Sequence, residues 1–255
     1  MARTILDKEL KQLDEQIVRL STLVDDALGK ALQSLETGDI ALAGMVIEGD
    51  AIIDSLRVAI EEHAIRLLTL QQPLAGRDLR YLTSALSIAG DLERTGDGAA
   101  GIAQNILRMA PLRSPQKMSL ADGSHETITE ASIMRNLLDL GKEARRLLQG
   151  TTRAFVNRDV NAARYISEED DVVDVRYHLV RHDLMAMMAG ARAIPALQND
   201  EMVLQRATYL LWIAHKLERI ADHSANVCER IVFIVEGDTD LKRSSSHQVD
   251  TSTQP

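Results

Sequence analysis

The sequence predicts an all-α fold of two tandem three-helix bundles, with six long helices related by an internal pseudo-twofold repeat. Three observations predict this: a repeated motif, a helix-favouring composition and apolar residues spaced three and four apart. The motif Leu-Glu-Arg-x-x-Asp occurs at residues 92–97 and again at 217–222, 125 residues later. An acidic pattern of Glu48, Asp50 and Asp54 recurs 120 residues later as Glu168, Asp170 and Asp174. Repetition over so long a period indicates two copies of one structural unit.

The composition favours helix and excludes several classes of function. Aromatic residues make up only 3% of the 255 residues, whereas helix-forming Ala, Leu, Glu, Arg and Met are abundant. The net charge of −9 and a pI of about 5.3 argue against a nucleic-acid partner. A single cysteine, Cys228, excludes an internal disulfide and fits a reducing compartment. Because no apolar run reaches the roughly 20 residues of a membrane span, we expect a cytoplasmic protein without membrane insertion.

The first unit is predicted to contain three helices that pack as a bundle. They are predicted at residues 5–37, 40–70 and 77–109. Along the first of them, apolar residues from Leu6 to Leu35 repeat at the spacing of a packed helix. Gly38 ends this helix and Asp39 caps the next one. A turn around Pro73 separates the second helix from the third.

The second unit repeats this plan. Its first helix carries apolar residues from Ile133 to Phe155, and two further helices are predicted at 160–188 and 200–235, joined by a turn near Pro195. After Glu236 the sequence contains almost nothing apolar, which predicts a disordered tail. The chain is thus predicted to comprise a first repeat at 1–110, a linker at 111–125, a second repeat at 126–235 and a tail at 236–255.

Eight acidic residues are candidate metal ligands because the repeated register brings them together. In a helical hairpin, residues equally distant from the turn lie at one level, since both arms rise about 1.5 Å per residue. In each predicted hairpin, two carboxylates of one helix fall at the levels of two carboxylates of the other. The first set comprises Asp50, Asp54, Glu93 and Asp97, and the second comprises Asp170, Asp174, Glu218 and Asp222.

Four carboxylates at close quarters repel one another and need positively charged partners. One source is a cation, and clustered carboxylates suit Mg²⁺, Mn²⁺, iron or Zn²⁺. The other source is Arg94 and Arg219, which follow the two glutamates directly and would form a salt-bridge lattice between the helices. The residues alone leave both interpretations open.

The other candidate groups have structural interpretations. Residues 96–101 match the Gly-x-Gly-x-x-Gly pattern of dinucleotide sites, but they lie inside a helical pattern and not after a strand. We therefore expect these glycines to permit close helix approach. His223 follows a predicted ligand and is itself a candidate ligand, and His215 lies two turns earlier on a similar face. Trp212 and Cys228 are expected in the core.

The two units resemble the PhoU family. Each unit has an Asp-x-x-x-Asp helix followed by a Leu-Glu-Arg-x-x-Asp helix, and the stretch from Gln72 to Arg80 is similar to that family's turn signature. The likeness covers residues 5–235. It implies metal ions, most often iron or zinc, on the eight carboxylates. It also implies a homodimeric cytoplasmic regulator of the phosphate ABC transporter ATPase and a partner sensor histidine kinase, which represses phosphate-starvation genes when phosphate suffices.

The first unit departs from the family pattern after its motif. His223 and Asn226 follow the pattern in the second unit, whereas the first unit has Gly98 and Gly101 there. We therefore expect the second site to bind metal more strongly. Since no nucleophile–base pair is recognisable, we expect a regulator and not an enzyme. The alternative is a di-metal carboxylate enzyme of the ferritin-like oxidase type, or a metal-storage bundle, although the Glu-x-x-His motifs of such bundles do not occur at these positions.

Overall fold

The computed structural model describes residues 2–70, 73–112, 119–121, 127–193 and 201–237. Their helices are α1 Ala2–Thr37, α2 Ile40–Leu70, α3 Gly76–Met109, α4 Glu130–Asn157, α5 Val160–Glu168, α6 Asp170–Ala193 and α7 Glu201–Glu236. Two short strands, β1 Ser119–Ala121 and β2 Thr127–Thr129, pair antiparallel between α3 and α4, and β1 lies within the predicted linker. The all-α class is confirmed. The predicted turn at Pro195 and the tail after Gly237 lie outside the described residues.

A single turn residue divides the predicted fifth helix into α5 and α6. Glu169 keeps near-helical dihedral angles, φ −70° and ψ −11°, and its backbone N–H donates to the carbonyl of Tyr165. The Glu169 carboxylate accepts from Arg146 Nη2 at 2.5 Å, which ties this point to α4. The two segments therefore occupy the place of one helix, and the chain keeps its plan of three helices per unit.

The first helix of each unit ends in the left-handed conformation. Gly38 has φ +72°, and the corresponding Arg158 has φ +54°. The following aspartates cap the next helices, since Asp39 Oδ1 accepts from the N–H of Leu42 and Asp159 Oδ1 accepts from that of Ala162, both at 3.0 Å. Both units thus use the same junction, although only the first has the glycine that this conformation favours.

Arg158 makes contacts that offset its unfavourable backbone conformation. Its Nη2 donates to Asp14 on α1 at 2.5 Å, and Tyr81 on α3 donates to the same carboxylate oxygen at 2.8 Å. The guanidinium carbon lies 4.4 Å from the ring centre of Phe155 and 5.2 Å from that of Tyr81. Cation–π contacts and a charged hydrogen bond each contribute of the order of 1 kcal/mol, which is about the cost of a left-handed residue.

One apolar core runs through both units. Its largest fully buried side chains are Leu13, Ile17, Leu20, Leu28, Ile60, Leu82, Ile88, Ile102, Ile133, Leu137, Leu140 and Leu147. Cys228 is buried as expected, but the prediction for Trp212 is wrong, because its side chain is 48% exposed. The buried positions Leu210 and Ile213 define the inner face of α7, so Trp212 lies on the outer face, packed edge-on against Tyr209. Among the described helices, none has the length and apolarity to cross a membrane.

Candidate metal centres

Three of the four carboxylates predicted for the first site converge. Asp50 and Asp54 lie one turn apart on α2, and Asp97 lies on α3. One carboxylate oxygen from each of the three lies within 4.8 Å of the other two. Glu93 is beside them but is directed partly to Arg57, whose Nε lies 3.5 Å from its Oε1. We call Asp50, Asp54, Glu93 and Asp97 the first cluster.

In the first cluster, burial and the crowding of carboxylates raise the pKa values of two carboxyl groups. Burial and the charges of Asp97, Asp54 and Glu93 raise the pKa of Asp50 to about 6. Its Oδ1 is buried and has no hydrogen-bond partner among the described residues. Burial and Asp97 also raise the pKa of Glu93, although Arg57 opposes this shift. Arg57 therefore offsets only part of the negative charge of the fully ionised cluster.

The second cluster, which comprises Asp170, Asp174, Glu218 and Asp222, repeats this arrangement between α6 and α7. Oxygens of Asp174, Glu218 and Asp222 lie within 4.8 Å of one another. Asp170 is outside this triad, but burial and the charges of Asp222 and Asp174 raise its pKa to about 6. Burial and neighbouring carboxylates also raise the pKa values of Glu218 and Asp222. Asp170 Oδ1 and Glu218 Oε2 are buried without a hydrogen-bond partner among the described residues.

The motif arginines do not neutralise these clusters directly. Arg94 donates instead to Asp91 at 2.5 Å, and Arg219 forms no ion pair within 4.0 Å in the described part of the chain. In the described part of the chain, the basic groups that form ion pairs with the clusters are Arg57, beside Glu93, and His215, whose Nδ1 lies 3.2 Å from Glu218 Oε2. Carboxylates that converge and raise the pKa of a neighbouring carboxyl group are of the type that can hold a hard or borderline cation.

His223, a candidate ligand of the second cluster, contacts a carboxylate of the other unit. Its Nδ1 lies 3.4 Å from Oδ1 of Asp91, which is only 5% exposed. Burial raises the pKa of Asp91, but the nearby His223 and Arg94 outweigh this effect, so the pKa falls below its ordinary value. Sequence reasoning missed Asp91. The only local signal was its place on the buried face of α3, directly before the repeated motif.

The three glycines at 96–101 permit close helix packing, as predicted. A Cβ at Gly96 would lie 3.0 Å from Ile53 on α2, and one at Gly98 would lie 3.1 Å from Ile220 on α7. A Cβ at Gly101 would overlap the side chain of Lys216 on α7. The contacts between α3 and α7 run in opposite directions along the two helices, so the helices pack antiparallel. This pairing joins the two units.

Comparison with known proteins finds matches to both units. The PhoU domain model matches residues 17–106 and 137–231. A PhoU homologue of Aquifex aeolicus is 33% identical over 91% of this chain and 94% of its own length. One from Streptococcus pneumoniae serotype 4 is 31% identical over 92% of this chain and 97% of its own length. Both are named phosphate-specific transport system accessory proteins.

Two crystal structures share the fold. The phosphate transport system regulatory protein PhoU from S. pneumoniae superposes with a TM-score of 0.71 at 30% identity, covering 92% of this chain and 99% of that one. PhoU from Pseudomonas aeruginosa gives 0.75 at 25% identity, covering 91% and 99%. The A. aeolicus homologue is named as an accessory protein of phosphate transport and the S. pneumoniae structure as a regulatory protein, and neither is named as an enzyme. With both units matched and nearly the full length of its relatives covered, this chain belongs to the PhoU family.

Proposed function

We propose that this protein restrains phosphate uptake and phosphate-starvation signalling by binding other proteins in the cytoplasm, and catalyses no reaction itself. Its partners would be the ATPase of the phosphate ABC transporter and a sensor histidine kinase. The observation that carries the proposal is the family match in both units, to relatives named as accessory proteins of phosphate transport. Long helices with exposed outer faces suit such docking.

Metal ions on the two clusters would brace these docking surfaces. Iron or zinc is the expected occupant, with Mg²⁺ and Mn²⁺ as alternatives. The first cluster takes its carboxylates from α2 and α3, and the second takes them from α6 and α7. Ligands supplied by two helices hold both helices in register, so metal binding stabilises each hairpin.

Loss of the protein should relieve repression. Deleting its gene should raise phosphate uptake and phosphatase expression in phosphate-rich medium. Affinity capture with the tagged full chain should recover the transporter ATPase and the histidine kinase. As a control, a chain ending at Glu236 should restore repression, because the tail is expected to be dispensable. Normal repression in a deletion strain that has no second copy of the gene would contradict the proposal, and oxygen turnover by iron-loaded protein would favour the enzymatic alternative.

We expect the protein to act as a homodimer. Large apolar side chains are exposed on the outer faces of both units, among them Ile52 on α2 and Val175 on α6, which is 70% exposed. Apolar surface of this kind is stabilised when it is buried against a second copy. Light scattering should therefore give a mass near twice 28.2 kDa at micromolar concentration. A monomeric mass throughout that range would contradict this expectation.

A further inference from the structure

A cavity between α3 and α7 is lined by basic side chains from both units. Its volume is about 200 Å³, and its walls include Arg94, Lys216, Arg219 and His223 together with the carboxylate of Asp97. The two arginines are the corresponding residues of the repeated motif, so each unit contributes one of them. The cavity therefore lies where the two units meet, beside residues of both acidic clusters.

Lys216 is in this cavity because the two sides of the α3–α7 interface differ. At the 125-residue offset, Lys216 corresponds to Asp91, and His223 corresponds to Gly98. On one side of the pseudo-twofold axis, Asp91 therefore faces His223. On the other side, the backbone of Lys216 approaches Gly98 and its side chain lies over Gly101. On this side a lysine packed over glycines therefore occupies the place that the acid–histidine pair has on the other.

Two of the basic groups in this cavity form no close ion pair among the described residues. Lys216 forms no ion pair within 4.0 Å in the described part of the chain, and neither does Arg219. Arg94 shares its charge with Asp91 at 2.5 Å, but its side chain is 51% exposed and borders the cavity. Lysine and arginine together form the charge-assisted hydrogen bonds that bind phosphate.

Asp97, the one carboxylate among the described residues that line the cavity, adds selectivity. At neutral pH, phosphate is a mixture of the monohydrogen and dihydrogen ions, and each has at least one O–H group to donate. The Asp97 carboxylate is an acceptor only, so it can receive that hydrogen bond. Sulfate has no proton to donate and would be repelled by the same oxygen. Basic groups with one carboxylate therefore favour phosphate over sulfate.

We propose that this cavity binds inorganic phosphate, with Lys216 and Arg219 as its main cationic ligands, Arg94 as a third and Asp97 as acceptor of the phosphate hydroxyl. The proposal rests on the proposed function and deepens it, since it identifies the signal to which the protein responds. Because α3 and α7 both supply ligands, phosphate binding would tighten the contact between the two units.

Titration calorimetry of the full-length protein with inorganic phosphate at fixed ionic strength tests this proposal. Saturable binding is expected, and Lys216→Gln should weaken it at least tenfold. Lys142→Gln, which removes an exposed charge on α4, is the matched control and should leave the affinity unchanged. Equal affinity in the wild type and Lys216→Gln, or no saturable binding by the wild type, would overturn the proposal.

A second variant tests the geometry without removing a charge. Gly101→Ala places a methyl group where the Lys216 side chain lies, so phosphate affinity should again fall about tenfold. Alanine is favoured over glycine inside a helix, so the variant should fold. Gly44→Ala, on α2 with open space around its Cβ, should bind phosphate as the wild type does. Unchanged affinity in Gly101→Ala would contradict the assigned position of Lys216.

Competition experiments identify the source of the phosphate group. Sulfate should bind at least tenfold more weakly than phosphate, and neither ATP nor a phosphoserine peptide should displace phosphate at equal concentration. Displacement by any of them would overturn assignment to free phosphate.

The experiments distinguish failure of the site from failure of the proposed function. If phosphate binding depends on Lys216 but deletion of the gene leaves phosphate uptake unchanged, the site is retained and the proposed function is rejected. If deletion relieves repression but the protein binds no phosphate, the proposed function is retained and the site is rejected.

Discussion

Metal-free protein should lose stability as the pH rises from 5 to 8, by about 1 kcal/mol for each of two carboxyl groups. Asp50 and Asp170 have pKa values near 6 in the folded chain, against 3.8 as the ordinary value. The folded chain thus binds more protons than the unfolded chain over this range. The stabilising contribution is complete below the ordinary pKa and disappears as the pH passes the folded pKa. Urea unfolding in the presence of a chelator at the two pH values measures the change.

Variants and added metal separate the causes of this pH dependence. Asp50→Asn and Asp170→Asn should each reduce the change, whereas Asp139→Asn, an exposed residue of α4 paired with Lys142, should leave it intact. Saturating Mn²⁺ should stabilise the protein most at pH 8, where the ligands are ionised. A stability that is independent of pH between 5 and 8 in the chelated wild type would reject this electrostatic account.

Elemental analysis of the purified protein tests the two clusters individually. Asp222→Ala should lose the metal of the second cluster and Asp97→Ala that of the first, because each removes a converging carboxylate. The second cluster is expected to retain its metal longer under increasing chelator concentration, since it also has His215 beside it. Unchanged metal content in both variants would leave the clusters as a structural feature only.

A histidine at Gly98 should destabilise the protein by about 2 kcal/mol. The second unit has histidine at the corresponding position, but at Gly98 a Cβ would already lie 3.1 Å from Ile220 and 4.0 Å from the carbonyl oxygen of Lys216. The Ile220 side chain on α7 would have to shift to admit the new side chain. The gain from replacing a helical glycine, at most about 1 kcal/mol, would offset only part of this cost. Denaturant unfolding measures the difference.

The control for this variant is a helical glycine with open space. Gly44→His on α2 meets no atom within 4 Å of its Cβ, so its stability should equal or slightly exceed that of the wild type. Equal effects of the two substitutions would show that the close approach of α3 and α7 does not limit residue 98. Destabilisation by Gly98→His but not by Gly44→His would confirm that it does.

Much of the fold and the convergence of carboxylates were predictable because both follow from local rules. Helical period predicts the buried face of α1, and hairpin register brings Asp54 level with Glu93. The cross-unit contacts were not predictable in this way. How α3 crosses α7 depends on packing between units, so the contact of Asp91 with His223 has no signature in the period of either helix. Trp212 was wrongly predicted to be buried for a similar reason, because nothing in the local sequence marks an apolar residue on an outer face as exposed.

The asymmetric α3–α7 interface also bears on the origin of the chain. A duplicated unit begins as two identical halves, and identical halves pair with the same contacts on both sides of their axis. Here one side holds Asp91 with His223, and the other holds Lys216 with Gly98. Two copies of the first half would set Asp91 against Gly98, and two copies of the second would set Lys216 against His223. The two halves are therefore complementary at this interface, and each fits the other better than it would fit a second copy of itself.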